Sequence, residues 1–177
     1  MIELFEAKNG AACPPQTWPF KSRKEKNMPE LETENLVFRP YLPSDRHFIE
    51  SSWASSYYAA SRIKDLLSPD DFHAFHRPLR ARFFERPTAA VIVCASPDDS
   101  DHILGWVAVE VLPNTAVLHY VYVKSTYRRD YGIAGQLLQR ALPPGPVLYT
   151  HFTPRAAQIM STHRAQFGDY RFCPHLT

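Results

Sequence analysis

A chain of 177 residues, 45% hydrophobic and 21% charged, is long enough for one domain that buries about 70% of its unfolded surface without disulfide or metal staples, and this balance excludes a disordered or fibrous protein. A net charge of +2 is too small to demand nucleic acid or an acidic membrane as partner. Cys13, Cys94 and Cys173 stand far apart with no CxxC pair, which excludes zinc ribbons and disulfide scaffolds; no run of about 20 apolar residues offers a membrane helix, and the N-terminus lacks the basic-then-apolar pattern of an export signal, so a cytoplasmic protein is expected.

Residues 1–30 read as a leader, flexible or arm-like, because Cys13-Pro14-Pro15, Trp18-Pro19 and Met28-Pro29 break any helix and Lys21, Arg23, Lys24 and Lys26 crowd around Glu25. Residues 31–177 read as a single domain. Its first strand is Leu36 to Pro40. Ser44 or Asp45 caps a helix reaching about Ala60, with Ile49, Trp53 and Ser56 on one stripe. Ser68-Pro69-Asp70-Asp71 starts a second helix that ends before Pro87, since proline suits the first turn and carboxylates suit the positive end of the helix dipole. Ala89 to Ala95 and Ile103 to Val111 are strands joined by the turn Ser96 to Asp101. Ala116 to Val123 is apolar enough to be a central strand covered on both faces. Ile133, Leu137, Leu138 and Leu142 form a helical stripe that Pro143-Pro144-Gly145-Pro146 ends; Val147 to Phe152 is a strand, Pro154 opens a helix through Met160, and Tyr170 to Cys173 is a last strand. The order is β-α-α-β-β-β-α-β-α-β, an α/β (α+β) mixed central sheet.

One junction carries chemistry. The strand Leu118 to Val123 runs through Lys124-Ser125-Thr126-Tyr127-Arg128-Arg129-Asp130-Tyr131-Gly132-Ile133-Ala134 into a helix. Unbonded backbone N–H groups and the positive dipole end point the same way at such a turn, which makes an anion site. Gly132 and small Ala134 let an anion approach the backbone, and Arg128 and Arg129 add positive charge; Asp130 is expected to point away.

Arg129-Asp130-Tyr131-Gly132-Ile133-Ala134 matches the Q/R-x-x-G-x-G/A signature of the GCN5-related N-acetyltransferases (GNAT), and residues 35 to 173 resemble that family in element order. The resemblance implies a GNAT-like sheet, acetyl-coenzyme A as acyl donor with its diphosphate on Arg128 to Ala134, a pantetheine arm paired with the backbone near Tyr122 and Val123, and direct attack by a primary amine in a ternary complex. His119 is the first base candidate: its position matches a histidine of the arylalkylamine branch of the family, and an ordinary pKa of about 6.5 suits the task. Glu110, on the preceding strand, is the second, acting through a water, although it also reads as a solvated carboxylate at a strand end. The family's tyrosine acid has no counterpart in residues 161–168, which leaves His163 or water to protonate the departing thiolate. Trp53, Tyr57 and Tyr58 border the acceptor side by resemblance, while their spacing also fits a core stripe.

His73 and His76 lack a third ligand for a metal, so none is expected. Arg62, Lys64, Arg77, Arg80, Arg82 and Arg86 form a basic stretch that reads first as a solvated helical face and second as a groove for an anionic or nucleic-acid substrate. The acceptor is a small-molecule, peptide or nucleobase amine. A non-catalytic module that keeps the fold for binding or assembly, and a transferase for a larger acyl-coenzyme A, are the competing functions.

Overall fold

The sheet grows from its middle outward. In the computed structural model, which describes residues 36–128, 132–158, 161 and 170–174, the long strands β3 (Ile103–Leu112) and β4 (Thr115–Val123) pair antiparallel across a tight turn. β2 (Ala89–Ala95) and then β1 (Val37–Pro40) add antiparallel on one side. β5 (Val147–Tyr149) and β6 (Tyr170–Phe172) add parallel on the other. The sheet therefore runs β1-β2-β3-β4-β5-β6, mixed as expected. The expected leader over residues 1–30 lies outside the described residues.

Helices cover both faces, as two apolar sheet faces require. On one face α1 (Arg46–Ala60) and α2 (Pro69–Glu85) bury Ile49, Trp53 and Phe83 against Val91, Val93, Trp106 and Ala108. On the other, α3 (Ile133–Ala141) buries Ile133, Leu137 and Leu138 against Cys94, Leu104, Val107, Val109 and Leu118. The alternation of Trp106 and Ala108 with Val107 and Val109 between the two cores is the period of two that a pleated strand imposes.

β4 breaks that period once. Leu118 pairs with Val109 and Tyr120 with Ala108, leaving His119 as an extra residue in a bulge. Leu118 belongs to the α3 core, whereas both His119, against Phe83, and Tyr120, against Trp53, face α1 and α2. Strict alternation would have put these two neighbours on opposite faces.

Three sequence expectations need correction. Asp45 sits at the start of α1 but makes no side-chain cap there; its carboxylate instead accepts from the Leu42 N–H at 2.8 Å and from the Arg39 guanidinium at 2.6 and 2.9 Å, tying β1 to the helix entry. β5 stops at Tyr149 rather than Phe152, because its neighbour β4 pairs with it only over Ala116–Leu118 and then diverges. Arg80, read as part of a solvated face, is buried. Ser68 does cap α2, accepting from the Asp71 N–H at 3.2 Å.

Candidate active site

The divergence of β4 from β5 makes the site. Beyond the bond from the Thr150 N–H to the Leu118 carbonyl at 3.2 Å, β4 runs on past β5 while still paired with β3, and its edge from Leu118 to Val123 forms one wall of a cleft of about 530 Å³. The opposite wall is Tyr149, His151, Thr153, Arg155, Ala156 and Gln158; α1 contributes Ser56, Ala59 and Ala60, and Gly132, Ala134 and Gly135 close the far end. A bulge at the branch point explains the divergence, since an extra residue bends its strand and increases the local twist.

The far end brings together a left-handed glycine, the first turn of α3 and an arginine. Gly132 adopts φ of 57°, a left-handed conformation that only glycine takes without strain, and a Cβ there would meet nothing within 4 Å. The requirement for glycine is thus conformational, and the space beside it is open. Ile133, Ala134 and Gly135 supply first-turn N–H groups that have no intrahelical acceptor. Arg128 donates its Nε–H to the Val123 carbonyl at 2.8 Å and so holds its guanidinium along the cleft. Arg129, Asp130, Tyr131 and His163 lie outside the described residues. Tyr122 and Val123 stand on the β4 edge, and the Tyr122 ring stacks on Trp106 at 5.9 Å, which leaves the strand's backbone as its contribution to the cleft.

A buried polar cluster approaches the branch point from the α2 side. Glu110 is 7% exposed, not a solvated strand end. Its Oε1 accepts from the Arg86 guanidinium and, at 3.0 Å, from His119 Nε2; its Oε2 accepts from the Thr88 hydroxyl at 3.3 Å. Burial alone would raise the Glu110 carboxyl, but the Arg86 and His119 partners outweigh it and hold it below its ordinary value. Burial pushes His119 down to about 4, the Glu110 charge opposing.

His151 was missed by sequence reasoning. It follows β5 by two residues, lines the cleft, and is also packed against Tyr57 at 4.6 Å, Trp53 at 5.5 Å and Tyr120 at 5.7 Å. Burial, helped by the neighbouring His119 and His76, pushes it down to about 3. Its only sequence signal was a polar pair, Thr150-His151, interrupting an apolar strand. Trp53 is a core residue at 3% exposure. Tyr57 and Tyr58 pack on Phe72, and the Tyr58 hydroxyl donates to the Leu67 carbonyl at 2.9 Å. None of these three aromatic residues lines the cleft; Ser56, Ala59 and Ala60 occupy the positions on α1 that do. His76 packs against Phe72 and Tyr57, and among the described residues no group of three or more His, Cys, Asp or Glu could hold a metal ion.

Comparison with known proteins points to one family. The model of the acetyltransferase (GNAT) family matches residues 60–143, the stretch that contains α2, β2, β3, β4 and α3. A GCN5-related N-acetyltransferase from Ralstonia eutropha JMP134 shares the fold with a TM-score of 0.55 at 14% identity, over 72% of this chain and 90% of that one. A Bacillus subtilis structure described as that of an acetyltransferase gives 0.54 at 15% identity over 75% and 90%, and one so described from Pyrococcus furiosus gives 0.52 at 13% over 78% and 81%. No curated protein matches the chain.

Proposed function

We propose that the chain, which matches the acetyltransferase (GNAT) family model over residues 60–143, is an acetyl-coenzyme A-dependent N-acetyltransferase that acylates a primary amine by direct attack in a ternary complex. The observation that carries this reading is the cleft of about 530 Å³ between β4 and β5, closed at one end by the open, left-handed Gly132 turn of α3. Its two ends differ in chemistry as such a reaction requires.

At the α3 end, the N–H groups of Ile133, Ala134 and Gly135, the charge of Arg128 and the backbone amides of Arg129, Asp130 and Tyr131 would hold the diphosphate. Along the wall, the β4 edge at Tyr122 and Val123 would hydrogen-bond the pantetheine amides as a further strand would. The donor supplies an activated acetyl thioester. Residues 31–177 form the catalytic domain in this reading, and residues 1–30 a leader.

The chain's own task is alignment and proton removal. A primary amine arrives largely as an ammonium and attacks only after losing a proton. The Glu110–His119 pair lies on the acceptor side of the branch point and is the basic end of the site. The thiolate of coenzyme A, with a thiol pKa of about 8.5 for an ordinary thiol, leaves without strong acid help; His163 or water returns its proton.

The test is a thiol-release assay with acetyl-coenzyme A against a mixed panel of amines, peptides and nucleosides, alongside calorimetric binding of the donor. The expected outcome is micromolar donor binding and thiol release that requires an amine. No binding at millimolar acetyl-coenzyme A would overturn the enzymatic reading and leave a binding or assembly module.

A further inference from the structure

The polar groups near the branch point form a continuous line rather than a pair. From Glu110, His119 Nε2 lies at 3.0 Å; on the other side of that ring, Nδ1 is 3.4 Å from the Thr150 hydroxyl; and that hydroxyl is 2.8 Å from His151 Nδ1. His151 lines the cleft. We propose that His151 is the residue that takes the acceptor's proton in the cleft, and that Glu110, His119 and Thr150 are positioning residues that fix its tautomer and carry the proton away. The inference rests on the acetyl-transfer reading for the source of that proton.

Each link is directional. An ionised carboxylate only accepts, so Glu110 requires a hydrogen on His119 Nε2 and thereby leaves a lone pair on His119 Nδ1. Thr150 Oγ1 lies 3.4 Å from that nitrogen and equally from the His119 carbonyl, two acceptors on one side, so its hydrogen points there. Thr150 Oγ1 then accepts from His151 Nδ1–H. With hydrogen on Nδ1, the lone pair of His151 sits on Nε2, the nitrogen left for the cleft.

The line also answers an energetic difficulty. A cation on either imidazole is costly here, since burial disfavours the charged ring and Arg80, Arg86 and His76 stand nearby; Tyr57 and Tyr120 pack on His151 without charge. A relay avoids that cation. The ammonium proton goes to His151 Nε2, His151 Nδ1–H passes to Thr150 Oγ1, the Thr150 hydrogen passes to His119 Nδ1, and His119 Nε2–H passes to Glu110. Four bonds to hydrogen form and four break. Both imidazoles end neutral with exchanged tautomers, and Glu110 ends as the acid. It returns its proton to water beside Arg86, whose side chain is 32% exposed.

Two measurements on the full chain test this together. Imidazole ¹⁵N–¹H correlation spectra of the free protein read the tautomers without any turnover: hydrogen on Nδ1 of His151 and on Nε2 of His119 is expected, and the reverse on either ring overturns the proposal whatever the activity. Kinetics with the amine found by the thiol-release panel then compare variants. H151Q should lower kcat about 100-fold, within the range of general-base catalysis, and leave acetyl-coenzyme A affinity within twofold. T150V should lower kcat and T150S restore it, a pattern that loss of packing alone would not produce. Wild-type kcat in H151Q overturns the proposal. The expected tautomers together with no acetylation of any amine would instead overturn the transferase reading while the proton line stands.

Discussion

Gly132 and the buried histidines carry the residue-scale logic of the molecule. A side chain at residue 132 must adopt φ of 57°, so Gly132→Glu adds backbone strain and brings a negative charge to the place assigned to a diphosphate. Acetyl-coenzyme A affinity should fall by at least about tenfold, each 1.4 kcal/mol being tenfold; calorimetry showing unchanged affinity would remove the turn from the donor site. The histidines govern the response to acid. His76 and His119 are depressed to about 4 and His151 to about 3, against about 6.5 in an unfolded chain. As pH falls from about 6.5 to 4 the unfolded chain binds protons that the folded one refuses, so stability is lost on acidification. Asp45 and Glu110, both held below their ordinary values, add losses of the same sign further down. Melting temperatures measured at pH 7.5 and pH 5 should therefore drop, and the drop should shrink in H151Q. An equal drop in H151Q would mean that this ring is protonated in the fold.

At the scale of elements, the joint between β3, β4 and α3 leaves no room for a side chain at Gly105. Gly105 pairs with Val123, and a Cβ on it would lie 2.7 Å from the Tyr122 carbonyl oxygen, 3.2 Å from Ile133 Cγ2 and 3.3 Å from Val123 Cγ2. Gly105→Ala must push the end of β4 and the first turn of α3 apart. We expect a loss of about 1–3 kcal/mol, the cost of overpacking, together with weaker donor binding; an unchanged urea midpoint would show that the joint yields freely. Ser68→Ala removes one cap bond at the start of α2 and should cost about 1 kcal/mol in the same titration with donor affinity untouched. The contrast between the two variants separates general stability from the geometry of the cleft.

At the scale of the whole molecule, donor binding and folding are linked by mass action. A donor present at 100 times its Kd stabilises the fold by about 2.7 kcal/mol, which for a chain of this size is roughly 5–10 °C in Tm. A thermal shift of that size with acetyl-coenzyme A is expected, and its absence at millimolar donor would favour a binding module over an enzyme. Most strands and helices were legible because their cause is local. The apolar run of β4, the stripe of α3 and the Ser68-Pro69-Asp70-Asp71 start each follow from the backbone period and the cap chemistry of a few neighbouring residues. The turn at Gly132 was legible for the same reason, because a glycine before an amphipathic helix is a local signature. The surroundings of the α1 aromatic residues were not. Trp53 and Tyr57 carry a helical stripe that reads first as core and second as pocket, and the structure packs them against Trp106 and Phe72. Glu110 looked like a strand end until Arg86, from 24 positions away, reached it. The proton line needed more, since it joins β3, β4 and the residues after β5 through a bulge that turns His119 and Tyr120 to one face. A bulge depends on the register between two strands, and register is a property of the pair. The amino-acid order alone thus determined the elements and the glycine turn before α3, whose physics is contained within one stretch of chain; the tertiary structure alone decided which buried carboxylate meets which imidazole, because those contacts exist only once separate strands have been laid side by side.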